Sequence, residues 1–254
     1  MIRTALFGSL TLALVSRPLP GATIYDTGAF TTNGGAMASD FSSSTLTGPI
    51  QRADDFVLDG PAEITGVNWW GLYAFSNTPE GQDDFTFRIF ADAGGSPASL
   101  PLIQFALGNP GRADTGLASF GSEVYAYSAL LPSAVTLQGG VMYWLSIVNN
   151  TAADRDDNWY WQRVTRFEGS VQQRNTDSSP WVPASDPGIL AFNFVGTVVP
   201  EPSAGALLLS GAALAVVLAR TRRMATQPRK EHVDVGSASS ACCAAESASL
   251  ETPA

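Results

Sequence analysis

The side chains best suited to chemistry in this sequence are aromatic and carboxylic. Asn158-Trp159-Tyr160-Trp161-Gln162 sets two tryptophans around a tyrosine, Trp69-Trp70 is a second pair, and Trp181 stands between Pro180 and Pro183 in a Ser-rich loop. Alternate residues of a strand share a face, so Trp159 and Trp161 form one aromatic face with Tyr160 opposite, while Trp69 and Trp70 point apart. A flat apolar ring with polar neighbours can stack on a pyranose. Trp69, Trp159, Trp161 and Trp181 are therefore the candidate glycan contacts, against the alternative that they pack a core.

A second candidate lies just upstream. Asp154-Arg155-Asp156-Asp157 gathers carboxylates in a loop, and Asp154, Asp156 and Asp157 are the hard oxygen donors that calcium takes. The run lacks the twelve-residue register of an EF-hand, so a solvated acidic turn is the competing reading. Asp54-Asp55 and Asp83-Asp84 are weaker pairs of the same kind. Calcium is the one cofactor these residues suggest.

Composition removes several other chemistries. The 254 residues carry 14 Lys and Arg against 23 Asp and Glu, a net charge of -9. Without a basic patch there is nothing to neutralise phosphates, which argues against nucleic-acid binding. His232, Cys242 and Cys243 are the only residues of their types, so the chain before residue 230 has no Ser-His-Asp triad, no thiolate nucleophile and no soft-metal site. From Thr23 to Val199 there are 7 Arg, no Lys and 18 Asp and Glu, a charge of -11, and this span holds every Trp and Tyr. A glycan hydrolase would need two carboxyl groups about 5 to 9.5 Å apart, which acidic composition alone does not supply.

Strands must position these side chains. Phe85-Thr86-Phe87-Arg88-Ile89-Phe90 and Glu123-Val124-Tyr125-Ala126-Tyr127-Ser128 alternate with a period of two, and 141–148 is apolar on both faces except Ser146, as in a central strand. Further strands are expected at 55–58, 62–73, 102–107, 134–137, 159–164, 169–173 and 189–198. Gly- and Pro-rich turns such as Asp59-Gly60-Pro61 and Asn109-Pro110-Gly111 separate them. No amphipathic helix and no repeat of fixed length interrupts the pattern. The expected fold is all-β, a jelly-roll-like β-sandwich over residues 51–198, preceded by a polar segment at 23–50.

The two ends read as export segments. Residues 1–22 run from a basic start through an apolar stretch to small residues, a signal-peptide pattern with cleavage after Ala22. Residues 204–219 are apolar and are followed by Arg220, Arg222 and Arg223, which suggests one transmembrane helix with a cytoplasmic basic stop. Residues 224–254 are Ser- and Ala-rich and read as a disordered cytoplasmic tail.

With Val199-Pro200-Glu201-Pro202-Ser203 before it, the segment 199–223 resembles the C-terminal sorting signal of bacterial PEP-CTERM proteins. The stretches 53–56, 64–71, 87–95 and 143–147 also resemble a sandwich ectodomain recurrent in that family. The resemblance implies an exosortase as partner, a single-pass membrane precursor, delivery to the cell surface or extracellular space, and association with extracellular polysaccharide. In it, Pro200, Glu201 and Pro202 are recognition residues and the three arginines the stop. The chain departs from the family by continuing for about thirty residues beyond them.

The expectation from sequence is an exported, non-catalytic structural protein of a polysaccharide or biofilm matrix, with a carbohydrate-binding module as the alternative and a glycan hydrolase behind it.

Overall fold

Alternation with a period of two, broken by Gly- and Pro-containing turns, makes this chain a sequence of strands. The computed structural model describes residues 21–33, 35–41, 48–74, 79, 81–152, 158–164, 169–186 and 188–200. Among them run β1 (Ala22–Asp26), β2 (Ala36–Ala38), β3 (Gln51–Val57), β4 (Ala62–Ala74), β5 (Phe85–Ala91), β6 (Ile103–Gly108) and β7 (Ala113–Ser119). They continue with β8 (Ser122–Leu137), β9 (Met142–Val148), β10 (Asn158–Gln162), β11 (Gln172–Arg174), β12 (Val182–Pro183) and β13 (Phe192–Val198).

Two antiparallel sheets result. In the seven-stranded sheet the long β4 is the centre: β8 lies along one side, and the other is shared end to end by β13, paired with Ala62–Trp69, and β10, paired with Gly71–Ala74. Beyond these lie β7 on β8, β1 on β13 and β2 on β10. The second sheet has the order β12-β11-β3-β9-β5-β6. The polar segment at 23–50 thus contributes β1 and β2 to the first sheet.

The inner faces close on each other through aromatic rings. Trp69 stacks on Tyr127 at 5.4 Å and meets Phe85 of the facing sheet edge-on at 5.1 Å; Phe85 in turn meets Trp159 at 5.0 Å. The chain of rings continues from Trp159 to Trp161 and Phe192, then Phe194, and crosses back to the second sheet at Phe56. Such edge-to-face pairs each contribute about 0.5–1.5 kcal/mol beyond the area they bury. No disulfide joins the sheets among the described residues, since the two cysteines lie at 242 and 243.

One contact in this core sets an indole ring directly against backbone. A Cβ added at Gly71 would lie 2.5 Å from three indole atoms of Trp159, so the ring rests directly on the β4 backbone. On the far side of β4, Pro132 falls within β8. It is tolerated because the β4–β8 register jumps there, from Gly66 opposite Leu130 to Ile64 opposite Val135, and a bulge requires no ladder N–H from proline.

Buried polar groups pin the loops at one end. The Asp83 side chain is fully buried and accepts from Arg112 Nε at 2.7 Å, from Asn149 Nδ2 at 3.0 Å and from the Tyr73 hydroxyl. Asp40, also buried, accepts from the Thr151 hydroxyl at 2.8 Å and from the Trp159 amide at 2.9 Å, fixing the entry to β10.

The structure corrects part of the sequence expectation. The all-β expectation with two sheets holds, but among the described residues the sheets have seven and six strands rather than the four and four of a jelly roll. The expected transmembrane helix is not supported: every element among the described residues is a strand, and none of their segments is a helix long and apolar enough to cross a membrane. Residues 204–219 and the tail 224–254 lie outside the described residues. The PEP-CTERM recognition, the exosortase partnership, the attachment to a membrane and the single-pass surface-bound precursor all depended on that helix and are withdrawn with it. Val199 and Pro200 are described, with the Val199 amide donating to Pro61 O at 2.8 Å just beyond the end of the β13–β4 ladder. Residues 1–20 of the expected signal peptide 1–22, and Glu201, Pro202, Ser203, Arg220, Arg222 and Arg223, lie outside the described residues, while Ala22 opens β1.

Because the Trp159 ring has no space to retreat, Gly71→Ala is expected to destabilise the domain by about 1–3 kcal/mol, the usual cost of overpacking. Urea unfolding followed by tryptophan emission measures it; an unchanged midpoint would show that the contact is not limiting.

Candidate functional site

The alternation predicted for β10 holds, and the core takes the tryptophans. Trp159 and Trp161 are 0% exposed, as are Trp69 and Trp144, so a saccharide cannot touch them without opening the sandwich. Trp70 lies on the outer face with Phe30 at 5.8 Å. Trp181 is half-buried, wedged between the Phe90 ring at 5.4 Å and the Arg174 guanidinium at 4.4 Å. The acidic loop residues Asp154, Asp156 and Asp157 lie outside the described residues. Asp54 and Asp83 are each tied to protein donors, and no group of three or more His, Cys, Asp or Glu among the described residues is placed to hold a metal.

Tyr160 is the aromatic residue that the strand period turns away from the core. Its ladder neighbour on the edge strand β2 is Ala38, whose small side chain leaves the ring beside an open cavity of about 500 Å³. Ala36, Met37, Ala38 and Ile50 form one wall. The other is polar: Arg52, Gln173, Asn175, Ser185 and Asp186. Arg52 and Gln173 come from the second sheet, where they face each other across β3 and β11.

Arg52 holds this flank together. Its Nε donates to Ala38 O at 3.1 Å on the opposite sheet, and Nη1 donates to Gln173 Oε1. Those bonds engage two of the five guanidinium N–H groups. Burial pulls the Arg52 pKa down to about 10, opposed by the Asp186 carboxylate, so the group is still a cation at neutral pH. Burial likewise raises Tyr160 above the usual phenol value, helped by Asp40 and opposed by Arg52; its hydroxyl is therefore neutral and able both to donate and to accept. Asp186, paired with Arg163 Nη1 at 2.9 Å, adds an acceptor at the rim.

The arrangement joins a ring face, a guanidinium, two carboxamides, a hydroxyl and a carboxylate around a space within the roughly 300–1,000 Å³ range of small-molecule pockets. It can form many hydrogen bonds to a neutral, polyhydroxylated guest. Periodicity put Trp159 and Trp161 on one face with Tyr160 opposite, and the structure turns the tryptophan face into the core and the Tyr160 face toward the cavity.

A second, smaller cavity of about 250 Å³ is lined by Tyr25, Asp26, Thr27, Asp54, Asp55, Gly169 and Ile189. Asp54 is 1% exposed and accepts from the Leu190 amide at 2.6 Å; Asp55 accepts from the Ser170 hydroxyl at 2.5 Å. Burial, aided by the neighbouring Asp55 charge, lifts the Asp54 pKa well above the ordinary carboxylate range, although the amide hydrogen bond opposes the shift.

A group whose pKa rises on folding stabilises the fold fully below its unfolded pKa of about 3.9 and loses that contribution as pH climbs through the folded value. Asp54→Asn keeps an acceptor for the Leu190 amide without a titrating proton. The variant should match wild type near pH 4 and melt higher at neutral pH, the gap widening with pH by several degrees, as about 1 kcal/mol moves the Tm of a domain this size by roughly 2–4 °C. Parallel melting curves at every pH would contradict the assignment.

Comparison with known proteins adds the following. A family model described as "Domain of unknown function (DUF7901)" matches residues 33–195, ending before the Val199–Ser203 motif. No curated protein matches the chain. Among solved structures, one match is the crystal structure of the cysteine protease and lectin-like domains of Cwp84, a surface layer associated protein of Clostridium difficile. It is 9% identical with a TM-score of 0.38, covering 59% of this chain and 32% of that one. The chain thus spans about a third of that structure, and so loose a likeness carries no argument about ligand or reaction.

Proposed function

The chain belongs to the family of domains of unknown function DUF7901, and we propose that it is a non-catalytic carbohydrate-binding module whose saccharide site is the cavity between β2, β10, β3 and β11. The observation that carries the reading is the meeting of Tyr160 with Arg52, Gln173, Asn175, Ser185 and Asp186 around a space of about 500 Å³. A sugar presents an apolar ring face and a rim of hydroxyls, each both donor and acceptor. Tyr160 offers the ring contact, and planar amide and guanidinium groups match pairs of neighbouring hydroxyls.

The burial of Trp69, Trp144, Trp159 and Trp161 bears on the mode of binding. Without their faces at the surface there is no broad aromatic platform for a crystalline polymer, so the module takes one or two sugar residues into a recess. A purely structural matrix role is the second reading, favoured by that same burial, and it requires no saccharide binding at all.

A glycan array followed by titration calorimetry on the full chain separates the two. Tyr160→Ala should weaken binding of a responding glycan by about 2- to 10-fold, the equivalent of 0.5–1.5 kcal/mol for a ring contact. Asn175→Ala, at an exposed position, should weaken it without altering the melting temperature. Absence of any glycan response, or binding indifferent to both substitutions, would leave the structural role.

A further inference from the structure

The outer face of the second sheet carries a polar cluster that the saccharide cavity does not use. Arg88 on β5 and Arg174 on β11 have side chains only 4% and 1% exposed, an unusual depth for two like charges. Gln51 of β3, itself 0% exposed, lies between them and its Oε1 accepts from Arg88 Nη1 at 2.9 Å and Arg174 Nε at 3.0 Å. Beneath the loop that follows β11, Trp181, Phe90, Trp144 and Ala53 form a separate small apolar core.

A single carboxylate answers both cations. Asp177 Oδ1 accepts from Arg88 Nη1 at 3.0 Å, Arg174 Nη2 at 2.8 Å and Gln51 Nε2 at 3.0 Å, and Oδ2 accepts from Arg88 Nη2 at 3.2 Å. Arg88 therefore grips it as a two-pronged fork, the geometry proteins use to recognise carboxylate groups. The donors are buried, whereas the Asp177 side chain is 63% exposed and enters from the solvent side, its backbone carbonyl also accepting from Arg174 Nη1 at 3.1 Å.

The local arithmetic is also incomplete. Two buried guanidiniums face one carboxylate, leaving an excess positive charge in a span whose net charge is -11. The Ser146 hydroxyl, directly opposite Arg88 in the β5–β9 ladder and so on the same face, is buried without a hydrogen-bond partner among the described residues, as is the Trp181 indole N–H. Buried polar atoms are rarely left unpaired.

We infer that Arg88, Arg174 and Gln51 form a carboxylate-recognition site, latched by the chain's own Asp177, for the uronate group of an acidic saccharide. The choice of a sugar acid rests on the proposed saccharide function: Asn175 of the same loop lines the Tyr160 cavity, so the loop after β11 is common to both sites. The carboxylate chemistry itself rests only on the cluster. An incoming uronate replaces Asp177 in the fork, and the two arginines stay where they are.

The test is thermal unfolding of the full chain with sodium glucuronate, sodium acetate or glucose at tens of millimolar, ionic strength being held constant with chloride. Removing the latch with Asp177→Ala opens the site, and Asp177→Asn serves if the alanine variant does not fold. The expected result is a Tm rise of about 2–4 °C with glucuronate and with acetate in the latch variant, a smaller one in wild type, and none on adding Arg174→Gln. No carboxylate-specific rise in either latch variant, or a rise that survives Arg174→Gln, overturns the proposal and leaves a structural ion pair. A Tyr160→Ala change in the latch background keeps the two sites apart: persistence of the glucuronate response there supports this site even if glucose never binds the cavity.

Discussion

The seat of the Trp159 ring on Gly71 is the contact from which the rest of this architecture follows. A side chain any larger at 71 would lift the indole off β4, and with it the chain of rings that runs from Tyr127 to Phe56 across both sheets. Once Trp159 is seated, the period of two decides the remainder of β10. Trp161 must also face inward, Tyr160 must face outward, and the register places Tyr160 beside Ala38 of a three-residue edge strand. The cavity is the space that an inward-facing tryptophan pair and an alanine edge leave around the intervening tyrosine.

Much of this was legible in the sequence, and the reasons for what was not are specific. The strands at 85–91 and 142–148, and the stretches 123–128 and 134–137 of β8, announce themselves because each buries alternate or continuous apolar residues. The strands β1, β2, β7 and β12 do not: they are short or edge-lying, and Ala113–Ser119 exposes most of its residues, so no apolar period marks them. Residues 134–137 belong to the same strand as 122–128 because a bulge absorbs Pro132, something that proline in a sequence reads against. Periodicity showed that Trp159 and Tyr160 face opposite ways, but which face meets a second sheet depends on pairing partners dozens of residues away. The apolar stretch and basic cluster near the C-terminus made the opposite error attractive, since a local pattern there suggested a sorting segment that neither the strands nor the family match supports.

Polar side chains fix the loops and line the cavity. With no cysteine between residues 21 and 200, loops are fixed by buried carboxylates that collect backbone and side-chain donors: Asp40 at the start of β10, Asp83 between Tyr73, Asn149 and Arg112, and Asp54 at Leu190. Arg52 is a cationic counterpart, because it ties β2 to β11 while lining the Tyr160 cavity. A residue with both duties is a poor choice for testing binding, and the exposed Asn175 is a cleaner one.

The bulge in β8 has a consequence outside the folded monomer. β7 pairs only with Ser122–Ala126 of that strand, so on the same side the rest of β8 has no ladder partner among the described strands and presents an open sheet edge with Leu130 exposed. A flat edge of that length would invite a strand from another copy. Pro132 removes one donor from the row and the register jump twists the backbone beside it, so a foreign strand loses its pairing after a few residues. The irregularity that the core tolerates leaves this edge poorly shaped to accept a foreign strand.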